Sequence, residues 1–276
     1  MRLQLLGVRG STAAPGPDFV RYGGHTSSIA ITPDGGDRPT LVLDAGTGLR
    51  MLTPLLGGDP FDGSIVLSHL HWDHMQGLPF FVGGDRPGAR VDLFVPAQDG
   101  RKGRDLLAQS FSPPAFPITP EQLQGDWRFE ALDAGTREIE GFAVTTADAA
   151  HKGGRTFGIR VQDDHGSIAY LPDHAPDAGV SEELVELLHG VDLLVHDAQF
   201  LEPERAMADA YGHATVQDAI ELGRRCEVGT VVLFHHSPAR TDAALDDLAT
   251  MTAQLGGTLP VVIAREGMVL DVPGTS

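Results

Sequence analysis

The stretch Ser64-Ile-Val-Leu-Ser-His69-Leu-His71-Trp-Asp73-His74 constrains this chain more than any other. A short apolar run ends abruptly in three imidazoles and a carboxylate, which reads as a buried strand running into a metal site. Residues two apart in extended backbone project to the same side, so His69 and His71 can hold one ion together at the strand's end. Asp73 and His74 then face a second ion. Leu78 and the Phe80-Phe81 pair predict a short helix after the strand, with Asp73 and His74 in its first turn near the positive end of the dipole. One histidine after a strand would read as a satisfied polar residue. Four ligands of borderline softness packed this closely are instead the imidazole and carboxylate set that suits zinc.

Other predicted strands also end in ligand-type residues. Thr40-Leu-Val-Leu-Asp44 ends in an acid, and a helix is expected to begin at Asp44-Ala-Gly-Thr-Gly48; Asp44 either caps that helix or accepts the free N–H of a metal-bound imidazole. Strands at 127–132 and 142–147 lead to His151, the ligand type the first ion still lacks, with Lys152 and Arg155 adding positive charge that suits an anionic substrate. A hairpin of strands 156–162 and 167–171 ends at Asp173-His174, leaving His165 in its turn. Ser181 caps a helix that His189 and Gly190 close. The strand through Val191-Asp-Leu-Leu-Val-His196-Asp197 precedes Tyr211-Gly-His213-Ala-Thr215 and a helix at 216–226. Thr230-Val-Val-Leu-Phe234 delivers His235-His236, of which extended backbone would send only one to the site. A helix is expected at 101–110. The proline-rich 112–120 cannot continue it, and Phe111 and Phe116 read as packing residues.

The His-x-His-x-Asp-His stretch resembles the signature of metallo-β-lactamase fold hydrolases at all four coordinating positions. Gly7-Val-Arg-Gly-Ser11, Tyr22-Gly-Gly-His25-Thr26 and Leu43-Asp-Ala-Gly-Thr-Gly48 look like a phosphodiesterase-type branch related to ribonuclease Z. His25 stands where that branch is expected to carry Asn. Asp197 and His213 resemble the family's His-Glu-Ala-Thr and His-Ser-Thr motifs, with Asp197 for Glu and Ala214 for Ser. The resemblance implies an α/β fold, a four-layer αββα sandwich, here one domain over residues 1–276. It also implies two Zn2+ ions, with Mn2+ or Fe2+ as alternatives. His69, His71 and His151 would hold one ion; Asp73, His74 and a late histidine would hold the other, with Asp173 between them. His235 is the late histidine expected, since Leu233-Phe234-His235 matches the family's Leu-x-His setting. A metal-bridging hydroxide would be the nucleophile, and His213 oriented by Asp197 would stabilise or protonate the leaving oxygen.

The balance of charge bears on the substrate. A formal net charge of −18 disfavours a general binder of polyanions, whose affinity is built largely from Lys and Arg. Relatives of the ribonuclease Z type generally carry a long tRNA-gripping arm between the counterparts of His151 and Asp173, and no such insertion fits there. A small phosphodiester, such as a cyclic nucleotide or cyclic phosphate, is therefore the first expectation, and large nucleic acid is not expected as a partner. A tRNA 3′-end endonuclease is the second, and hydrolysis of a lactam, lactone or thioester the third. The N-terminus lacks a signal-peptide pattern and no stretch is long enough to span a bilayer, so a cytoplasmic protein is expected, as a monomer or homodimer. The single cysteine, Cys226, is expected to be a buried, inert thiol.

Overall fold

The computed structural model describes residues 1–98 and 100–272. Among these, β1 (Arg2–Gly7), β2 (Ser28–Thr32), β3 (Leu41–Leu43), β4 (Asp62–Val66), β5 (Arg90–Pro96) and β6 (Asp126–Leu132) lie side by side, with β14 (Val269–Asp271) outside β1. A second sheet contains β7 (Gly135–Ile139), β8 (Phe142–Ala149), β9 (Thr156–Gln162), β10 (Ser167–Leu171), β11 (Leu193–Asp197), β12 (Thr230–Phe234) and β13 (Val261–Ile263), again in chain order. Both sheets are mixed: antiparallel from β1 to β3 and from β7 to β10, parallel from β3 to β6 and from β10 to β13.

Alternation along the strands builds three apolar layers. Leu41, Leu43 and Val66 point into the core between the sheets, where they share a cluster with Ile168, Tyr170, Val195 and Phe234. Their neighbours Val42 and Ile65 point the other way and pack with Leu49, Leu52, Leu78 and Phe81. On the second sheet, Ala169, Leu171 and Leu194 likewise face away from the central core, toward Leu184, Leu188, Ile220 and Leu245. Because both faces of these strands are buried, they read as continuous apolar runs. Helices α1 (Leu52–Leu55), α2 (Trp72–Met75) and α3 (Gly103–Leu107) accompany the first sheet; α4 (Glu182–Leu188), α6 (Val216–Arg225) and α7 (Asp242–Leu255) cover the second, with the short α5 (Arg205–Tyr211) leading into α6. The result is the expected αββα sandwich.

Some local expectations shift. The helix expected over 101–110 is only α3, because the chain turns after Leu107 to bury Phe111 beside the outer face of the first sheet. Phe116 packs against that cluster too. Residues Leu78–Phe80 form a 3-10 turn separate from α2, so Asp73 and His74 sit in a single helical turn. The strand β7 was unexpected, since Gly-Thr-Arg-Glu exposes nearly every residue at a sheet edge and carries no apolar alternation. No helix of the described residues is long and apolar enough to cross a membrane.

Candidate metal centre

The parallel strands end at one rim, and the loops leaving those ends carry the polar residues. His69, His71 and His151 gather with Asp173, and Asp73 and His74 gather with His235. The Asp173 carboxylate faces both groups: Oδ2 lies 3.5 Å from His69 Nε2 and 3.3 Å from His151 Nε2, while Oδ1 lies 3.2 Å from His74 Nε2 and 3.0 Å from His235 Nε2. His71 Nδ1 is 3.2 Å from His151 Nε2, and Asp73 Oδ2 is 3.1 Å from His235 Nε2 and 3.3 Å from His74 Nε2. Ligands about 2.0–2.1 Å from a tetrahedral zinc stand roughly 3.3 Å from one another, so these separations are the edges expected around an ion. His69 Nε2 and Asp173 Oδ1 are buried without a hydrogen-bond partner, which a metal would supply. The donor set fits two first-row ions.

Hydrogen bonds behind the cluster choose the tautomers. His74 Nδ1 donates to Asp44 Oδ2 at 2.7 Å, and His151 Nδ1 donates to the Gly212 carbonyl at 2.7 Å, which leaves each Nε2 lone pair facing the centre. The Ser68 hydroxyl donates to Asp44 Oδ2 at 2.8 Å and stands 3.0 Å from His69 Nδ1, from which it can accept. Asp44 also receives the Ser68 amide at 2.7 Å and the Tyr170 hydroxyl at 2.8 Å. It does not cap the helix that follows: the 3-10 turn there starts beyond Gly46.

Electrostatics follow the same geometry. Burial first, then neighbouring imidazoles, hold His69 and His71 below the ordinary histidine range, and burial does the same to His151. Burial would raise Asp73 and Asp173, but the surrounding imidazoles overcome it and keep both ionised. Burial opposes protonation of His74 as well, but the carboxylates of Asp73, Asp173 and Asp44 outweigh it and hold that imidazole well above the ordinary range.

Asp197, at the end of β11, accepts His213 Nδ1 at 2.9 Å and the backbone amides of His174, Gln199 and Ala214 at 3.0–3.2 Å. Burial opposes protonation of His213, yet Asp197 outweighs it and the group is pushed up to about 9. The His213 ring stacks on His235 and lies within reach of Asp173, so geometry also allows it to approach an ion. Ser11, Leu70, His71, Trp72, Asp73, Asp173 and His213 line a pocket of about 410 Å3.

Several neighbouring histidines stay outside the cluster. His174 Nδ1 stands 3.3 Å from His196 Nε2, behind the site. His236 donates Nε2 to the Ala264 carbonyl at 2.9 Å. His235 adopts a left-handed φ of 56°, so the two histidines are not separated by strand alternation as expected. His165 is an exposed turn residue, and His189 ends α4. His25 pairs with Glu266 on the wall of a separate 810 Å3 cavity that contains none of the clustered residues.

Sequence reasoning missed Ser68 and Tyr170 as supports, and Gly10, Ser11 and Gln199. Gly10 carried a signal in the Arg9-Gly10-Ser11 loop: a Cβ there would lie 2.3 Å from His235 Nδ1. Tyr170 carried one too, as a phenol in an otherwise apolar buried strand.

Two helix-covered sheets with a His/Asp cluster at one rim define an αββα metallohydrolase architecture. The solved structure of the metallo-β-lactamase fold protein YhfI from Bacillus subtilis superposes with a TM-score of 0.73 at 16% identity, covering 98% of this chain and 99% of that one. A diphosphatase of the PhnP family superposes with a TM-score of 0.69 at 20% identity, covering 99% of each chain. In sequence, ribonuclease Z of Haloarcula marismortui is 26% identical over 310 aligned residues, 97% of this chain and 96% of that protein. The family model of the β-lactamase superfamily domain matches residues 40–236. The chain belongs to this superfamily, as a metallo-β-lactamase fold hydrolase related to ribonuclease Z.

Proposed function

We propose that the chain is a dinuclear zinc hydrolase of small phosphodiesters, with cyclic nucleotides and cyclic phosphates as the leading substrate class. The observation that carries this reading is the Asp197–His213 pair beside the cluster. Acyl transfer from a lactam or thioester does not require a buried, carboxylate-held imidazolium, whereas the departing alkoxide of a phosphodiester gains from a donor held ready. Two bound Zn2+ ions would supply Lewis acidity and a water acidified toward neutrality. His69, His71 and His151 would hold one ion, Asp73, His74 and His235 the other, with Asp173 shared. The chain's own residues do the rest: Asp44 and Gly212 fix the imidazole tautomers, and Asp197 keeps Nδ1 of His213 engaged so that Nε2 can give its proton.

A tRNA 3′-end endonuclease is the second reading, favoured by the near full-length similarity to ribonuclease Z. Against it stand the charge of −18 and the interval between His151 and Asp173, which holds only the β9–β10 hairpin. A panel of bis(p-nitrophenyl) phosphate, cyclic nucleotides, precursor tRNA and a thioester separates the readings; turnover of the thioester alone would sink the phosphodiester assignment. His213→Ala should keep its metal and lose about 10²–10⁴-fold in rate on a poor leaving group, and less on an activated nitrophenol. Loss of metal in that variant would make His213 a ligand instead.

A further inference from the structure

Ser11 sits in the loop after β1 with φ 63°, a left-handed conformation that costs a serine free energy and a glycine almost none. That strained turn points its amide at Asp73, donating to Oδ2 at 2.6 Å, and leaves the side chain on the pocket wall beside His71, Asp73, Asp173 and His213. The loop is pinned: the Gly10 amide donates to the His236 carbonyl at 3.0 Å, and the Thr12 amide to the Gly10 carbonyl at 2.7 Å. The hydroxyl is engaged from behind. Gln199 Nε2 donates to Ser11 Oγ at 3.1 Å, so Oγ spends an acceptor lone pair there and keeps its proton to give.

Gln199 is itself fixed by the dyad. Its backbone amide donates to Asp197 Oδ1 at 3.0 Å, its backbone carbonyl accepts from Arg240 Nη2 at 3.1 Å, and it is 5% exposed. A nearly buried side chain has thus given its donor to a hydroxyl on a pocket wall, next to the carboxylate that holds His213. We infer that the Ser11 hydroxyl donates to a non-bridging oxygen of the substrate's phosphoryl group, with Gln199 as the residue that positions it. The inference rests on the phosphodiester reading above. It names a substrate-binding contact supplied by neither the metal cluster nor the dyad. An anionic phosphoryl oxygen is the matching acceptor, because a neutral hydroxyl gains most when its acceptor is charged.

The test uses the full chain loaded with two equivalents of Zn2+. Inorganic phosphate is titrated by calorimetry, and bis(p-nitrophenyl) phosphate is followed kinetically. Ser11→Gly removes the hydroxyl while keeping the amide on Asp73 and relieving the strained φ. It should weaken phosphate binding about tenfold and raise KM more than it lowers kcat, with metal content at two ions and a thermal midpoint unchanged or higher. Gln199→Met keeps the buried volume and removes the donor, and should reproduce part of that loss. The double variant should be no worse than Ser11→Gly, because both changes act on one contact. Wild-type phosphate affinity and KM in Ser11→Gly would overturn the inference and leave the phosphodiester reading standing. Loss of an ion in that variant would overturn it too, by placing the role in support of Asp73. A zinc-loaded wild type that ignores phosphate and diesters but opens a lactone or thioester would overturn the underlying reading and this inference together.

Discussion

His235 reaches the cluster because two local conditions are met. Its backbone turns left-handed at φ 56°, and Gly10 has no side chain where the ring must lie. Gly10→Ala would bring a Cβ to 2.3 Å from His235 Nδ1, closer than any real contact, so the ring must move. The expected outcome is that Gly10→Ala behaves like His235→Ala: elemental analysis should find metal content falling from about two ions per chain toward one. His236→Ala should stay near two, since His236 is occupied with the Ala264 carbonyl. One ion lost from His236→Ala and none from His235→Ala would exchange the two roles. At this scale much was legible. His69, His71, Asp73 and His74 announce themselves because a strand end concentrates them within one short stretch. The reason for preferring His235 was not legible, because strand alternation was the wrong geometry: the chain leaves its extended conformation at that residue. Ser11 was equally hidden, since nothing in a Gly-Ser-Thr run reveals a left-handed serine.

Among the elements, the loop after β3 does more than connect. Asp44 has φ 58°, is fully buried, and accepts from Ser68 in the loop after β4, from His74 in α2 and from Tyr170 in β10. One carboxylate thereby ties together pieces of both sheets. Asp44→Ala would leave the His74 ring and two buried hydroxyls without their acceptor. Removing one partner of such a buried network typically costs about 3–5 kcal/mol, and loss of a carboxylate behind a metal-binding imidazole about 10–100-fold in metal affinity. Denaturant unfolding and a zinc titration read the two effects separately; a variant as stable as the wild type with undiminished zinc affinity would remove Asp44 from this role. The strands with both faces buried were readable as unbroken apolar runs, and the β9–β10 hairpin emerged with its bounds. What could not be read was the polar edge strand β7, whose formation depends on β8 already being in place beside it. The end of α3 was also obscure, because burial of Phe111 decides it.

On the scale of the whole molecule, charge and topology act on the substrate together. A chain with 38 acidic and 20 basic residues disfavours a long polyanion, and cations held at the cluster would reverse that only locally. Precursor tRNA should therefore be a poor substrate at physiological salt, with kcat/KM well below that for bis(p-nitrophenyl) phosphate; efficient tRNA cleavage under those conditions would shift the assignment to the endonuclease. Two helix-covered sheets with a site along one edge were legible because ligand-type residues recur after the strands of both halves; the αββα order was what the family resemblance implied. The pairing at the outer edge was not, since β14 has little burial to signal it. β1 lies between β2 and β14, with Arg2 opposite Asp271, and the Met1 amino group meets Asp163 in the other sheet. The first strand acquires its outer neighbour only after the chain has been made as far as Asp271, and closing so long a loop is slow. A growing chain would emerge with His69, His71, Asp73 and His74 long before His235, so an early ion would meet half a cage, and a complete two-ion site would wait until His235 has been made.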